Sequence, residues 1–272
     1  MDLPTPSENL LILSKFPAVQ ILSIHGKGLL VIDGSCLQPQ VPVDFHLREY
    51  TGSYQTLPYF LPSTTLTRLP TSSGPCSPLS FITQMQGIQG PNNLTALDAT
   101  FNASNITTFT TLVGLFPQLT ELRIRIVFPS EGHMFKDELW DVSRFKKERM
   151  AVDGTFGDSL RVGFEPSFFF AALANSPTLP PALERLSLSW TCNDEYMNQL
   201  SAYKLPDFAR LRDTLLAGCP TLTCLWLDGY YFLFQWRNVP SEGTVKEDTA
   251  VNFLHAYGKR QDSEIFWEGE EY

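Results

Sequence analysis

The sequence predicts an α/β fold, an irregular leucine-rich-repeat-like solenoid in which a curved parallel sheet carries helices on its outer face. Two observations support this prediction. A short motif, Pro-x-[Leu/Val]-x-x-Leu-x-[Leu/Ile], recurs along the chain, and a helical pattern precedes most of its copies. The 272 residues are 43% hydrophobic and 18% charged, which is enough apolar material for one extended core. We therefore predict one domain over residues 1–272.

The motif ends in alternating apolar positions, which predict a short strand with one buried face. Four copies are complete, and two partial copies begin at Leu66 and Leu94. The first apolar residues of the six copies are Val19, Leu66, Leu94, Leu119, Leu183 and Leu222. Only two of the intervals between them are near the usual leucine-rich-repeat length. We therefore expect about six irregular units with insertions between them.

Helical patterns lie upstream of four motif copies. They cover the stretches Thr5–Phe16, Ile106–Phe116, Pro166–Leu173 and Pro206–Gly218. The first has the spacing of a capping box at Thr5 and Glu8, and the last has a proline at its start and a glycine at its end. A unit of one helix and one strand cannot bury its own apolar face, so we expect the units to stack side by side.

Two segments stand apart from the repeats. Residues 127–163 are a charged insertion that we predict to project from the solenoid as a loop or lid. At about 244–272 we predict a C-terminal capping helix followed by an acidic tail, because Thr244 and Glu247 have capping-box spacing and Gly258 is placed to end a helix. The tail is either a solvated segment whose aromatic residues pack on the last repeat or a docking segment.

Charge and hydropathy exclude several classes of partner. The formal net charge of −9 argues against nucleic acid, because binding to the phosphate backbone needs clustered lysine and arginine. The first residues lack the pattern of a secretory signal, and no run approaches the length of a membrane span. We predict a cytoplasmic or nuclear protein that binds no membrane and whose five cysteines are reduced.

The sequence predicts no catalytic residue, no cofactor and no metal, and hence no enzyme. The four histidines are scattered without metal-like spacing, and neither a nucleophile elbow nor a dinucleotide or phosphate-binding loop occurs. An alternative is an enzyme with a cleft between the 127–163 insertion and the open face of the sheet. A second alternative is a degenerate fragment without a partner.

In each repeat strand the apolar positions point inward, so the alternate residues point to the open face of the sheet. The candidate partner-binding residues on that face are Glu121, Arg123, Arg125, Arg185, Ser187, Trp226 and Asp228. Arginine and tryptophan are frequent binding hot spots, which favours the three arginines and Trp226. The alternative is a solvated face on which Trp226 is covered, either by the insertion or by residues 230–232.

The repeat unit resembles the leucine-rich-repeat region of F-box-type proteins from mushroom-forming basidiomycete fungi. The segments Leu47–Gly52, Leu57–Pro62 and Leu179–Trp190 are similar as well. This resemblance covers roughly residues 5–230. It implies a protein-recognition module, the substrate-binding part of a ubiquitin-ligase receptor. We recognise no F-box in the sequence, so a ubiquitin-ligase adaptor is expected as a partner only if an F-box lies upstream.

Overall fold

The computed structural model describes residues 18–23, 47–52, 66–70, 77–86, 93–102, 106–127, 169–170, 173–174, 179–191, 207–229, 232–239 and 243–250. These residues form a mixed α/β structure around one open sheet of nine strands, in which the strand order follows the chain order. The first predicted helix and most of the 127–163 insertion lie outside the described residues. None of the described helices is long and apolar enough to cross a membrane.

The strands are β1 (Ile21–Ser23), β2 (Glu49–Thr51), β3 (Arg68–Pro70), β4 (Ala96–Asn102), β5 (Glu121–Val127), β6 (Arg185–Thr191), β7 (Cys224–Asp228), β8 (Leu233–Val239) and β9 (Thr244–Ala250). Strands β1 to β7 pair in parallel, whereas β8 and β9 pair antiparallel. The helices are α1 (Pro78–Gln86), α2 (Ile106–Gly114) and α3 (Phe208–Gly218). The predicted parallel sheet is thus confirmed for its first seven strands.

The residues at the position of the motif's second leucine form one continuous row across the sheet, which we call the leucine row. The row consists of Leu22, Tyr50, Leu69, Leu97, Leu122, Leu186, Leu225 and Trp236. From Tyr50 onward these side chains are buried, and the first residue of each motif copy from Leu66 to Leu222 is buried beside them. The period-2 pattern therefore gives each strand one apolar face, and the register stacks those faces into a single core.

The same hydrogen bonds recur where strands β2 to β7 begin. The carbonyl oxygen of Thr95, for example, accepts the backbone N–H groups of Thr120 and Glu121 at 2.8 and 2.9 Å. The carbonyl of Thr120 accepts those of Glu184 and Arg185 in the same way. Hydroxyl groups of Thr67, Thr95, Thr120 and Thr223 donate to the carbonyl of the residue just before the preceding strand, at 3.4, 3.2, 3.1 and 3.1 Å. Successive units therefore join through one repeated backbone geometry.

The helices cover the face of the sheet that carries the leucine row. Phe81 of α1 meets Phe101 of β4 edge to face at 5.4 Å between ring centroids, and Phe208 of α3 stacks on Phe234 of β8 at 5.1 Å. Phe169, which has helical backbone, meets Trp190 of β6 at 5.1 Å. These contacts leave the alternate strand residues on the opposite side, which we call the open face.

Two predicted helices are found where the sequence places them. Helix α2 lies within the predicted Ile106–Phe116 segment, and α3 ends at Gly218 as predicted. Asp207 caps α3, because its carboxylate accepts the backbone N–H of Arg210 at 3.0 Å. Helix α1 has no counterpart in the sequence prediction. Its buried positions Pro78, Phe81, Ile82 and Met85 have helical spacing. This spacing alone could have predicted the helix.

The predicted capping helix at 244–272 is wrong in its first turns, because Thr244–Ala250 is the strand β9. Gly243 adopts a φ of 64°, a conformation that suits a tight turn and sends the chain back along β8. Glu247 does not close a capping box; its carboxylate binds Arg212 of α3. Residues 251–272, which include the predicted acidic tail, lie outside the described residues.

The irregular spacing of the motif has a partial explanation. Leu47 is buried and begins the unit of β2, which divides the long interval between Val19 and Leu66. Strand β5 pairs directly with β6, so the 127–163 insertion adds no strand between them. The extra unit does not match the motif, because Tyr50 occupies the position of the second leucine.

Candidate functional site

The open face is built mainly by the three long central strands. Along β5 the exposure alternates strictly, with Glu121, Arg123, Arg125 and Val127 partly exposed and the apolar residues between them buried. Register places Glu121 beside Arg185 of β6 and Arg123 beside Asp98 of β4. The predicted open-face positions of Glu121, Arg123, Arg125 and Arg185 therefore lie together on one surface, with Asp98 among them.

Glu121 lies between two arginines. Its carboxylate is 3.3 Å from Nη2 of Arg68 and 3.6 Å from Nη1 of Arg185. The three side chains stand on β3, β5 and β6, and Ala96 of the intervening strand β4 is small enough to leave Arg68 and Glu121 in contact. Half of the Arg68 side chain and 36% of the Arg185 side chain remain exposed, so both guanidinium groups are accessible while they are held in place.

Asp98 forms a second, similar cluster. Its Oδ2 atom is 3.2 Å from Nη2 of Arg125 and 3.8 Å from Nη1 of Arg123. The two arginines differ in accessibility, because 37% of the Arg125 side chain is exposed but only 12% of the Arg123 side chain. Of the two predicted hot spots on β5, Arg125 is therefore the better placed to meet a partner.

The other three predicted residues, Ser187, Trp226 and Asp228, are buried, at 4%, 4% and 5% exposure. They lie on the open face by register, but Trp226 packs with Leu233 of β8 and Ala250 of β9 in a small apolar cluster. Trp226 is thus covered, as the alternative expected, but the residues that pack on it are Leu233 and Ala250 rather than residues 230–232. The signal missed in the sequence was the alternation of β8, which extends the sheet past the last motif copy.

Basic residues that the motif search did not select extend the surface. Arg68, Arg237 and Lys246 share one row of the register with Cys224 and with the predicted residues Glu121 and Arg185. Burial raises the pKa of the Cys224 thiol to about 12, against the opposing effect of the Arg237 and Arg185 guanidinium groups. Arg68 could have been predicted, because it directly precedes Leu69 in a partial motif copy.

The described residues give no chemical centre beyond this surface. No group of three or more His, Cys, Asp or Glu side chains within the described ranges could hold a metal ion. All four histidines and three of the five cysteines lie outside those ranges, and the two described cysteines, Cys219 and Cys224, are free and buried. The cleft of the enzyme alternative also lies largely outside them, since it requires the 127–163 insertion.

Comparison with models of protein families, with curated proteins and with solved structures finds no match to this chain.

Proposed function

We propose that this chain is a leucine-rich-repeat-like solenoid that recognises another protein through the open face of its central strands. The observation that carries the proposal is the arrangement of Arg68, Arg125 and Arg185 around Glu121 and Asp98, on the side of the central strands that lies opposite their buried apolar residues. Repeat architectures use such regular, extended surfaces for binding, since each strand adds side chains at the same spacing.

The two acidic residues prepare the arginines for binding. A free arginine side chain loses rotamer entropy when a partner immobilises it, at a cost of about 0.5–1.5 kcal/mol. Here the guanidinium groups of Arg125 and Arg185 are already held at 3.2 and 3.6 Å from carboxylates, so part of that cost is met in the free protein. Both keep more than a third of their surface exposed, and arginine donates several hydrogen bonds in a fixed geometry.

The finer proposal follows the resemblance of the repeat unit to F-box-type proteins. In that form of the proposal, the open face selects the substrate of a ubiquitin ligase, and an adaptor is recruited by an F-box upstream of this segment. Recovery of a ubiquitin-ligase adaptor together with the bound protein would support this finer form. Recovery of a partner without an adaptor would support only the recognition module.

The proposal predicts that charge reversal on the open face abolishes partner binding. The test is affinity purification of the Arg125→Glu/Arg185→Glu double variant from its own cells, with bound proteins measured by quantitative mass spectrometry. The matched control is Arg210→Glu, a charge reversal at an exposed residue of α3. We expect at least a tenfold loss, about 1.4 kcal/mol, for the double variant and no loss for the control. Unchanged recovery of every partner by the double variant would reject the open face as the binding surface.

A further inference from the structure

Strand β9 forms one end of the sheet. It pairs with β8 on one side, and within the described residues no strand pairs with its other side. Thr244 to Thr249 are all exposed, and Val245 is 62% exposed, one of three large hydrophobic residues on the described surface. A seven-residue strand of this kind presents backbone N–H and C=O groups that can pair with another strand.

The charges of β9 are arranged symmetrically. Lys246 and Asp248 flank Glu247 at equal distance, and both belong to the open face because they stand opposite Arg237 and Gln235 of β8. In an antiparallel pairing of two β9 strands centred on Glu247, Lys246 of each copy therefore lies opposite Asp248 of the other. Opposite charges facing each other across a strand pair stabilise it.

The register centred on Glu247 is more favourable in its charges than the registers shifted to either side of it. Among antiparallel pairings that keep both open faces on the same side, a shift in one direction places Lys246 opposite Lys246 of the second copy. A shift in the other direction places Asp248 opposite Asp248 of the second copy. Both shifts oppose like charges, which destabilises a strand pair. In the register centred on Glu247, the exposed Val245 also meets Thr249 of the second copy, a pair of β-branched side chains that suits a sheet.

The like charge at the centre is compensated within each copy. Glu247 faces the helix side of the sheet, and its carboxylate binds the guanidinium group of Arg212 on α3. Two copies therefore bring two ion pairs, rather than two bare carboxylates, to the symmetry axis. Closed two-fold association through identical surfaces is the commonest form of protein oligomer.

From this edge and its charge pattern we propose that a second copy of this chain is the occupant of β9, joined by antiparallel strand pairing centred on Glu247. The pairing extends the sheet from nine strands in one copy to a continuous sheet through both. Two short strands bury less surface than a standard interface, so the dimer is weak and depends on concentration. This inference is independent of the proposed function, because the open face of β4 to β6 stays accessible in the dimer.

The test is sedimentation velocity of the full 272-residue chain from about 1 µM to about 300 µM, a range that spans weak affinities. We expect a reversible shift from monomer to dimer for the unmodified chain. Lys246→Asp and Asp248→Lys should each weaken dimerisation at least tenfold, because each places two like charges opposite each other. The swap Lys246→Asp/Asp248→Lys should restore it, because the opposite charges meet again.

Arg210→Asp on α3 is the matched control for a change of charge, and it should dimerise like the unmodified chain. A monomer throughout the concentration range would overturn the proposal. So would a dimer that survives both single variants, since another surface would then hold it. Failure of the swap to restore a dimer would overturn the register, and with it the assignment of the second copy to this edge.

Discussion

Each carboxylate at the centre of the open face holds two arginines. Glu121 binds Arg68 and Arg185, and Asp98 binds Arg123 and Arg125. Glu121 is 23% exposed and Asp98 is 29% exposed, and ion pairs with this much solvent contact contribute about 0–1 kcal/mol each to folding. Their main effect is to orient the guanidinium groups. Charge reversal at Arg125 or Arg185 should therefore perturb binding far more than it perturbs the free energy of unfolding.

Cys224 should be inert in the folded protein. Burial raises the pKa of its thiol from 9.0 to about 12, so at pH 8 the folded chain has about a thousandfold less thiolate than the unfolded chain. We expect iodoacetamide to label Cys224 only after denaturation, as measured by peptide mass spectrometry. Labelling of native Cys224 at the rate of the unfolded chain would contradict its burial between Arg185 and Arg237.

The same shift makes the stability dependent on pH. The folded state keeps the Cys224 proton more tightly than the unfolded state, so this contribution to stability is fully present below pH 9.0 and is lost as the pH rises through about 12. Cys224→Ala should remove this contribution, and its free energy of unfolding should decline less steeply above pH 9.0 than that of the unmodified chain. Guanidinium denaturation at several pH values measures both slopes.

The sequence predicted the direction of open-face side chains better than their exposure. Glu121, Arg123, Arg125 and Arg185 lie on the face that alternation assigns to them, because direction depends only on period-2 geometry and strand pairing. The exposure of Trp226 depends instead on Leu233 and Ala250, which belong to strands that contain no copy of the motif. Local patterns therefore gave the orientation, and contacts between distant residues decided the accessibility.

At the scale of elements, the hairpin of β8 and β9 differs most from the prediction. Thr244 and Glu247 have capping-box spacing, but Thr244, Val245 and Thr249 of the same segment are β-branched and favour a strand, so the local sequence does not decide between the two. The decision comes from outside the segment. Gly243 permits the turn, β8 supplies the pairing edge, and Arg212 of α3 takes the carboxylate of Glu247.

Two glycines test the turn of this hairpin. Gly243 has a φ of 64°, so Gly243→Ala places a side chain in a left-handed backbone and should lower the free energy of unfolding by about 1 kcal/mol. Gly114, at the end of α2, has open space around its Cα, so Gly114→Ala should leave stability unchanged or raise it slightly. Urea denaturation of both variants measures the difference. Equal effects would show that the turn does not depend on the special backbone of Gly243.

At the scale of the whole molecule, the proposed solenoid makes a prediction about how stability is distributed along the leucine row. In a solenoid each unit contacts chiefly its neighbours, so adjacent units should be coupled energetically and distant units should not. Leu122 and Leu186 are adjacent rungs of the row, whereas β4, β5 and β6 separate Leu69 from Leu225. The same substitution in the two pairs therefore distinguishes a stacked ladder from a core that is shared by the whole chain.

Each of the four Leu→Ala substitutions should cost about 2–5 kcal/mol, because it removes buried methyl groups and leaves a cavity. For Leu122→Ala with Leu186→Ala, we expect a coupling energy of about 0.5–3 kcal/mol, since the two cavities share one wall. For Leu69→Ala with Leu225→Ala, the two costs should add within about 0.5 kcal/mol. Urea denaturation of the singles and doubles yields both cycles. Additivity in the adjacent pair together with coupling in the distant pair would contradict the ladder, and with it the regular surface on which partner recognition depends.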